Sequence, residues 1–165
     1  QMLAFNGVPA PPAVPAPGTA FQGPLSLRVS AAGAANLGGW RLRRDNLAVA
    51  VGTLGTPASR SPGGGGCLAR WPAVGAAVLL TGGGDPCATD AAKARWARVS
   101  ASIWRTQRGL SPGDAVSRLR ALYPGARRRS GYWWLIAGRA GGGPAPRLRA
   151  EARAGTVRAL WVDVG

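Results

Sequence analysis

The side chains able to do chemistry in this chain are few, and their types narrow what it does. Histidine is absent, cysteine occurs twice, and six acidic residues stand against 21 basic ones. Catalysis at neutral pH draws on histidine, cysteine or paired carboxylates in shifted environments; here the acids are scattered. Asp45 and Asp114 stand where helix N-caps belong. Glu151 and Asp163 fall among arginines, which keep carboxylates ionised rather than tuned as acids. Lys93, the single lysine, has no serine motif around it. The glycine runs 63–66 and 82–84 lack the Gly-Lys-Ser/Thr ending and the strand-to-helix placement of a phosphate cradle. The sequence therefore reads as a non-enzyme, and it calls for no cofactor and no metal.

Cys67 and Cys87 bracket one hairpin-like segment, with no CxxC spacing between them. That pattern suits a structural disulfide better than redox or metal work, two buried free thiols being the alternative. A bridge would imply an extracytoplasmic protein, secreted or envelope-attached. No stretch approaches the ~20 apolar residues of a membrane span. The chain opens at Gln1 without a charged, then apolar, leader, which leaves open whether a signal peptide was removed or never present.

The net charge is +15, carried almost wholly by arginine, in a chain with 26 glycines and 14 prolines. GC-rich codons supply such a mixture, yet the field is physical whatever its origin. It attracts nucleic acid, anionic lipid headgroups and acidic envelope polymers. Arg127-Arg128-Arg129 is expected in a loop, and no recognition helix, RNP-like strand or zinc spacing accompanies it.

The elements that must position these residues are clearest from Thr106 onward. Val116, Leu119, Leu122 and Tyr123 form one apolar stripe at helical spacing behind Asp114, closed by Pro124-Gly125. Gly131 to Ile136 reads as a strand covered on both faces. Arg147 to Arg153 alternates, with Leu148, Ala150 and Ala152 inward and Arg147, Arg149, Glu151 and Arg153 outward. Ala154-Gly155 turns the chain into a last strand over 156–164. Earlier, Asp45-x-Leu47-x-x-Ala50 matches Asp114-x-Val116-x-x-Leu119, an internal repeat. Strands are expected at 24–29, 67–71 and 75–81, with a flexible loop at 62–66 and a short helix at 89–94. From Ala97 a strand follows, with Ala97, Val99, Ala101 and Ile103 on one face and Arg98, Ser100, Ser102 and Trp104 on the other; a continuous helix is the rival reading. The expected fold is α+β: two tandem helix-plus-antiparallel-sheet units packed as a two-layer domain. Its parts are a Pro/Ala-rich tether over 1–20, a first unit over 21–105 and a second over 106–165.

The motif Gly109-Leu110-x-x-Gly113-Asp114-x-Val116, then Leu122-Tyr123-Pro124-Gly125, the aromatic strand Tyr132–Trp134 and the hairpin from Leu148 through Gly155-Thr156-Val157 resemble a known small repeat. It is shared by the outer-membrane lipoprotein of the β-barrel assembly machinery (the BamE/SmpA type) and the secreted β-lactamase inhibitor protein. The resemblance covers about a third of the chain and implies a binding or scaffold protein that uses an exposed sheet face; an inhibitor of a secreted enzyme is one form of it.

Seven tryptophans are many for 165 residues, and a core built of small side chains accounts for most of them. Trp133 and Trp134 are neighbours in one strand and so point to opposite faces. With Arg147, Arg149 and Arg153 they form the candidate binding surface. The expected partner is a protein or an anionic envelope polymer; an Arg-rich nucleic-acid binder is the alternative.

Overall fold

The structure, a computed structural model, describes residues 25–29, 35–137 and 146–164; the tether expected over 1–20 lies outside them. Its elements in chain order are β1 (Leu25–Val29), β2 (Ala35–Leu37), β3 (Trp40–Arg41), α1 (Leu47–Leu54), β4 (Ser59–Gly63), β5 (Gly66–Trp71), a 3-10 turn at Pro72–Val74 and β6 (Ala76–Thr81). There follow β7 (Lys93–Val99), β8 (Trp104–Thr106), α2 (Val116–Leu122), β9 (Arg127–Arg129), β10 (Tyr132–Ile136), β11 (Pro146–Arg153) and β12 (Thr156–Val164).

Eight of the strands make one antiparallel sheet in the order β4-β5-β6-β7-β12-β11-β10-β9. A second sheet runs β3-β2-β1-β8, with β1 and β8 parallel. This overturns the α+β expectation of two helix-plus-sheet units. The described chain is mostly β, its helices span only eight and seven residues, and β7 pairs directly with β12 to fuse all the strands of the long sheet into one. The physical reason is that each helical stripe lasts two turns, too short to form a layer, so the small sheet covers much of the long one. β1 lies against β11 and β2 against β12.

Between the sheets sits one apolar core. Trp40, Trp71 and Trp104 anchor it, beside Leu27, Leu37, Leu80, Leu148 and Leu160. Each buried indole N–H finds a carbonyl: Trp40 donates to Asp45 at 3.0 Å, Trp71 to Gly55 at 2.8 Å and Trp104 to Val74 at 2.6 Å. An indole is buried at little cost only when its N–H is bonded. Trp104, which alternation grouped with Arg98, Ser100 and Ser102, is fully buried, because the chain bends after Val99 and enters the small sheet.

Several local expectations are corrected. Asp45 and Asp114 do not cap: the N-caps are Asn46 and Ala115, neither with a side-chain cap bond. The Asp45 carboxylate accepts from the backbone and guanidinium of Arg41, and that side-chain bond holds its pKa below the usual carboxylate range. Asp114 instead accepts from the Ser111 amide at 2.9 Å. Residues 62–66 are not a loop but the β4–β5 hairpin. Gly64 and Gly65, at φ of 62° and 81°, supply its two-residue turn. Pro62 is tolerated because β4 is an edge strand. The helix expected over 89–94 is a turn leading into β7. Ala92 and Ala94 are fully buried there, and their carbonyls accept from Leu47 and Arg43.

Cys67 and Cys87 form a disulfide with Cα atoms 5.1 Å apart, tying the turn after β6 back to β5. Arg60 holds the same turn, donating to the carbonyls of Pro86 and Thr89, each at 2.6 Å. Such a bridge suits an oxidising compartment. No helix among the described residues is long and apolar enough to cross a membrane.

Candidate functional site

Residues paired across antiparallel strands share a face, so the register of the long sheet states what its outer side carries. One row reads Ala77, Arg98, Trp161, Arg149, Trp134 and Arg127 across β6, β7, β12, β11, β10 and β9. A parallel row reads Leu79, Trp96, Asp163 and Arg147. Behind these, Glu151 stands beside Tyr132. Inward neighbours are small or branched: Ala97, Val99, Leu148, Ala150, Leu160 and Val162 are all buried. The strands are therefore amphipathic with their largest side chains facing out.

Two irregularities shape this face. Between Leu79 and Leu80 the β6–β7 register slips, leaving Arg95 as the extra residue, so that Arg95 and Trp96 are consecutive and both outside the core. A bulge bends a strand and re-aims side chains in this way. The second slip, between Glu151 and Ala152, leaves Arg158 unpaired on β12.

The guanidinium groups lie over the rings. Arg149 stands 4.4 Å from the Tyr132 ring centroid, 4.9 Å from that of Trp161 and 5.5 Å from that of Trp134. Arg98 approaches Trp161 at 5.8 Å, Arg129 approaches Trp134 at 5.3 Å, and the Trp96 and Trp161 rings are 5.0 Å apart. Contacts of this kind add about 0.5–1 kcal/mol each at exposed sites and hold the side chains in place.

Two carboxylates set the charge. Glu151 accepts a two-pronged bond from Arg98, at 3.2 and 2.9 Å, and a third from the Trp161 indole at 2.6 Å. The Arg98 bond is the main reason its pKa lies below the ordinary range, with the indole adding to it against partial burial. Because β12 runs between β7 and β11, this pair straddles a strand and locks Trp161 over it. Asp163 accepts from Arg147 at 2.7 Å.

Of the surface expected from sequence, the structure brings together Trp134, Arg147 and Arg149. Trp133 is not part of it; its cross-strand partner is the buried Ala150, and it packs partly against the core. Arg153 lies at the hairpin end beyond the bulge, beside a separate recess with Tyr132 and Arg158. Arg127–Arg129 is an edge strand, fully exposed, rather than a loop. Tyr132, Trp96, Arg98, Glu151 and Trp161 were missed as site residues. The signal available for the β7 and β12 members was parity, since Trp96-x-Arg98 and Trp161-x-Asp163 both alternate with small or branched residues. Among the described residues no three His, Cys, Asp or Glu side chains gather as metal ligands. The arrangement is equipped to bind: planar donors, flat apolar rings and pre-placed charge on a rigid sheet. In comparisons with family models, curated proteins and solved structures, the chain matches none of them.

Proposed function

We propose that this chain is a non-catalytic binding domain, secreted or envelope-attached, that recognises a macromolecular partner through the outer face of its long sheet, and that the partner is a protein. One observation carries the reading: the row Arg98, Trp161, Arg149, Trp134, in which arginine and tryptophan alternate across four hydrogen-bonded strands on the face turned away from the core. Tryptophan, tyrosine and arginine are the residues that dominate binding energy at protein interfaces. The extracytoplasmic placement is supported by the Cys67–Cys87 bridge, and the resemblance of residues 106–165 to the BamE/SmpA-type repeat points toward a binding role as well. The test is a pull-down from envelope and secreted fractions, comparing the wild type with the double variant Trp161→Ala, Arg149→Ala. A partner recovered by the first and lost by the second is expected; equal recovery overturns the reading.

A second reading, a binder of nucleic acid or anionic polymer, is favoured by the fully exposed Arg127–Arg129 edge and the net charge of +15. It predicts affinity for DNA, RNA or teichoic-type polymers that falls steeply with salt. Against it, Glu151 and Asp163 stand within the aromatic face and would repel a run of phosphates.

A further inference from the structure

Resting on the protein-binding reading, we infer that Arg149 is the seat for a single carboxylate, an aspartate or glutamate side chain presented by the partner, and that Tyr132, Trp134 and Trp161 form the apolar collar around it. The first support is an accounting of charge. The six acids of the chain all lie within the described residues, and five are engaged by other arginines: Asp45 by Arg41, Asp90 by Arg60, Glu151 by Arg98, Asp114 by Arg118 and Asp163 by Arg147. Asp85 accepts from the Cys87 amide. Arg149 has no such partner, although its neighbours on the same face, Arg98 and Arg147, each have one. Glu151, the nearest candidate, already accepts three bonds from Arg98 and Trp161.

The second support is orientation. Three rings hold the Arg149 guanidinium, and its Nε is shielded from solvent with no hydrogen-bond partner among the described residues. A guanidinium held among three rings with its Nε shielded offers its remaining donors as a planar fork, the geometry that matches a carboxylate. Beside it lies an open recess of about 380 Å³ in which Leu79, Trp96 and Trp161 stand together with Arg95, Arg147 and Asp163, room for the residues flanking that acid. A cation without an ion pair, flanked by the two neutralised arginines Arg98 and Arg147, fits an anionic group there, whereas a polyanion would carry its charge past Glu151 and Asp163.

Selection from a disulfide-constrained random peptide library displayed on phage tests this, with wild type, Arg149→Gln and Trp161→Ala proteins whose thermal melts match. Expected are enriched peptides with one Asp or Glu beside aromatic or aliphatic residues, weakened about tenfold or more by Arg149→Gln. The same loss is expected when the peptide acid is changed to its amide. Peptides that lose binding to Trp161→Ala but not to Arg149→Gln overturn the carboxylate seat and leave the face reading standing. Peptides indifferent to both variants overturn both. Displacement of the peptides by heparin or duplex DNA at low salt, with an affinity that falls steeply as salt rises, overturns the carboxylate seat in favour of the polyanion reading.

Discussion

The two sides of the long sheet use opposite residue economies. The inner side is built mainly of alanine, valine and leucine packed at close to zero exposure, with Trp71 of β5 buried among them. The outer side holds Trp96, Trp134, Trp161 and Tyr132, bulky and only partly covered, interleaved with arginine. In most half-buried sheets the large apolar residues face inward and the polar ones outward. Here the inner side from β6 to β11 is filled with smaller residues because a second sheet, with its own Trp40 and Trp104, lies across it, and the bulky rings stand on the outer side. The difference teaches that core packing and the aromatic, arginine-rich surface are written on different faces of the same strands, at adjacent residues.

That division can be broken by substitution. Leu160→Ala, on the inner side of β12, is expected to lower unfolding free energy by about 2–5 kcal/mol, as truncation of a fully buried leucine does. Urea denaturation measures it, and a loss no larger than that from an outer substitution defeats the comparison. Removing the bridge by Cys67→Ala with Cys87→Ala opens a loop of 20 residues, and the chain-entropy relation gives a loss of about 3 kcal/mol. The melting temperature should fall accordingly, while wild type under reducing conditions should fall in step.

On the outer side effects shrink. Glu151→Gln weakens a half-exposed bond to Arg98 and is expected to cost about 1 kcal/mol or less. Its sharper signature is in pH. Since the folded pKa of Glu151 is lowered, its contribution is fully present above the ordinary carboxylate pKa and fades as pH falls through the lowered value. Wild type should therefore lose more stability on acidification than Glu151→Gln, whose residual slope includes Asp45, lowered by its bond to Arg41. Identical acid profiles would show that Glu151 does not hold the face. Last is Arg149→Gln, which gives up contacts over three rings but also removes a shielded Nε that has no partner among the described residues, and is expected to cost about 1 kcal/mol or less by denaturation. A large loss there would make Arg149 structural and remove the contrast between the faces.

Sequence pattern reached the local part of this design. Alternation placed Arg147 and Arg149 outward and Leu148 and Ala150 inward, as observed, and Ala154-Gly155 is the turn, both residues at positive φ. It could not reach the pairing of β7 with β12, which joins strands some 60 residues apart and alone brings Arg98 beside Trp161. No local periodicity encodes such a contact. The helix expected at 89–94 failed for a related reason. Alanine favours helices in isolation, but here Ala92 and Ala94 sit fully buried where the chain before α1 hydrogen-bonds to them. Asp45 and Asp114 failed as caps because nearer donors, Arg41 and the Ser111 amide, claimed their carboxylates.

The position of β12 in the sheet has a consequence for how the molecule is made. It follows all the other described strands in the chain yet lies fifth of eight across the sheet, between β7 and β11. While a ribosome or a translocon still holds residues 156–164, β7 presents an open row of amides and carbonyls, the kind of edge on which chains stick to one another. The long sheet is joined only where β12 lies between β7 and β11, and a truncation before Thr156 would leave two half-sheets with open edges.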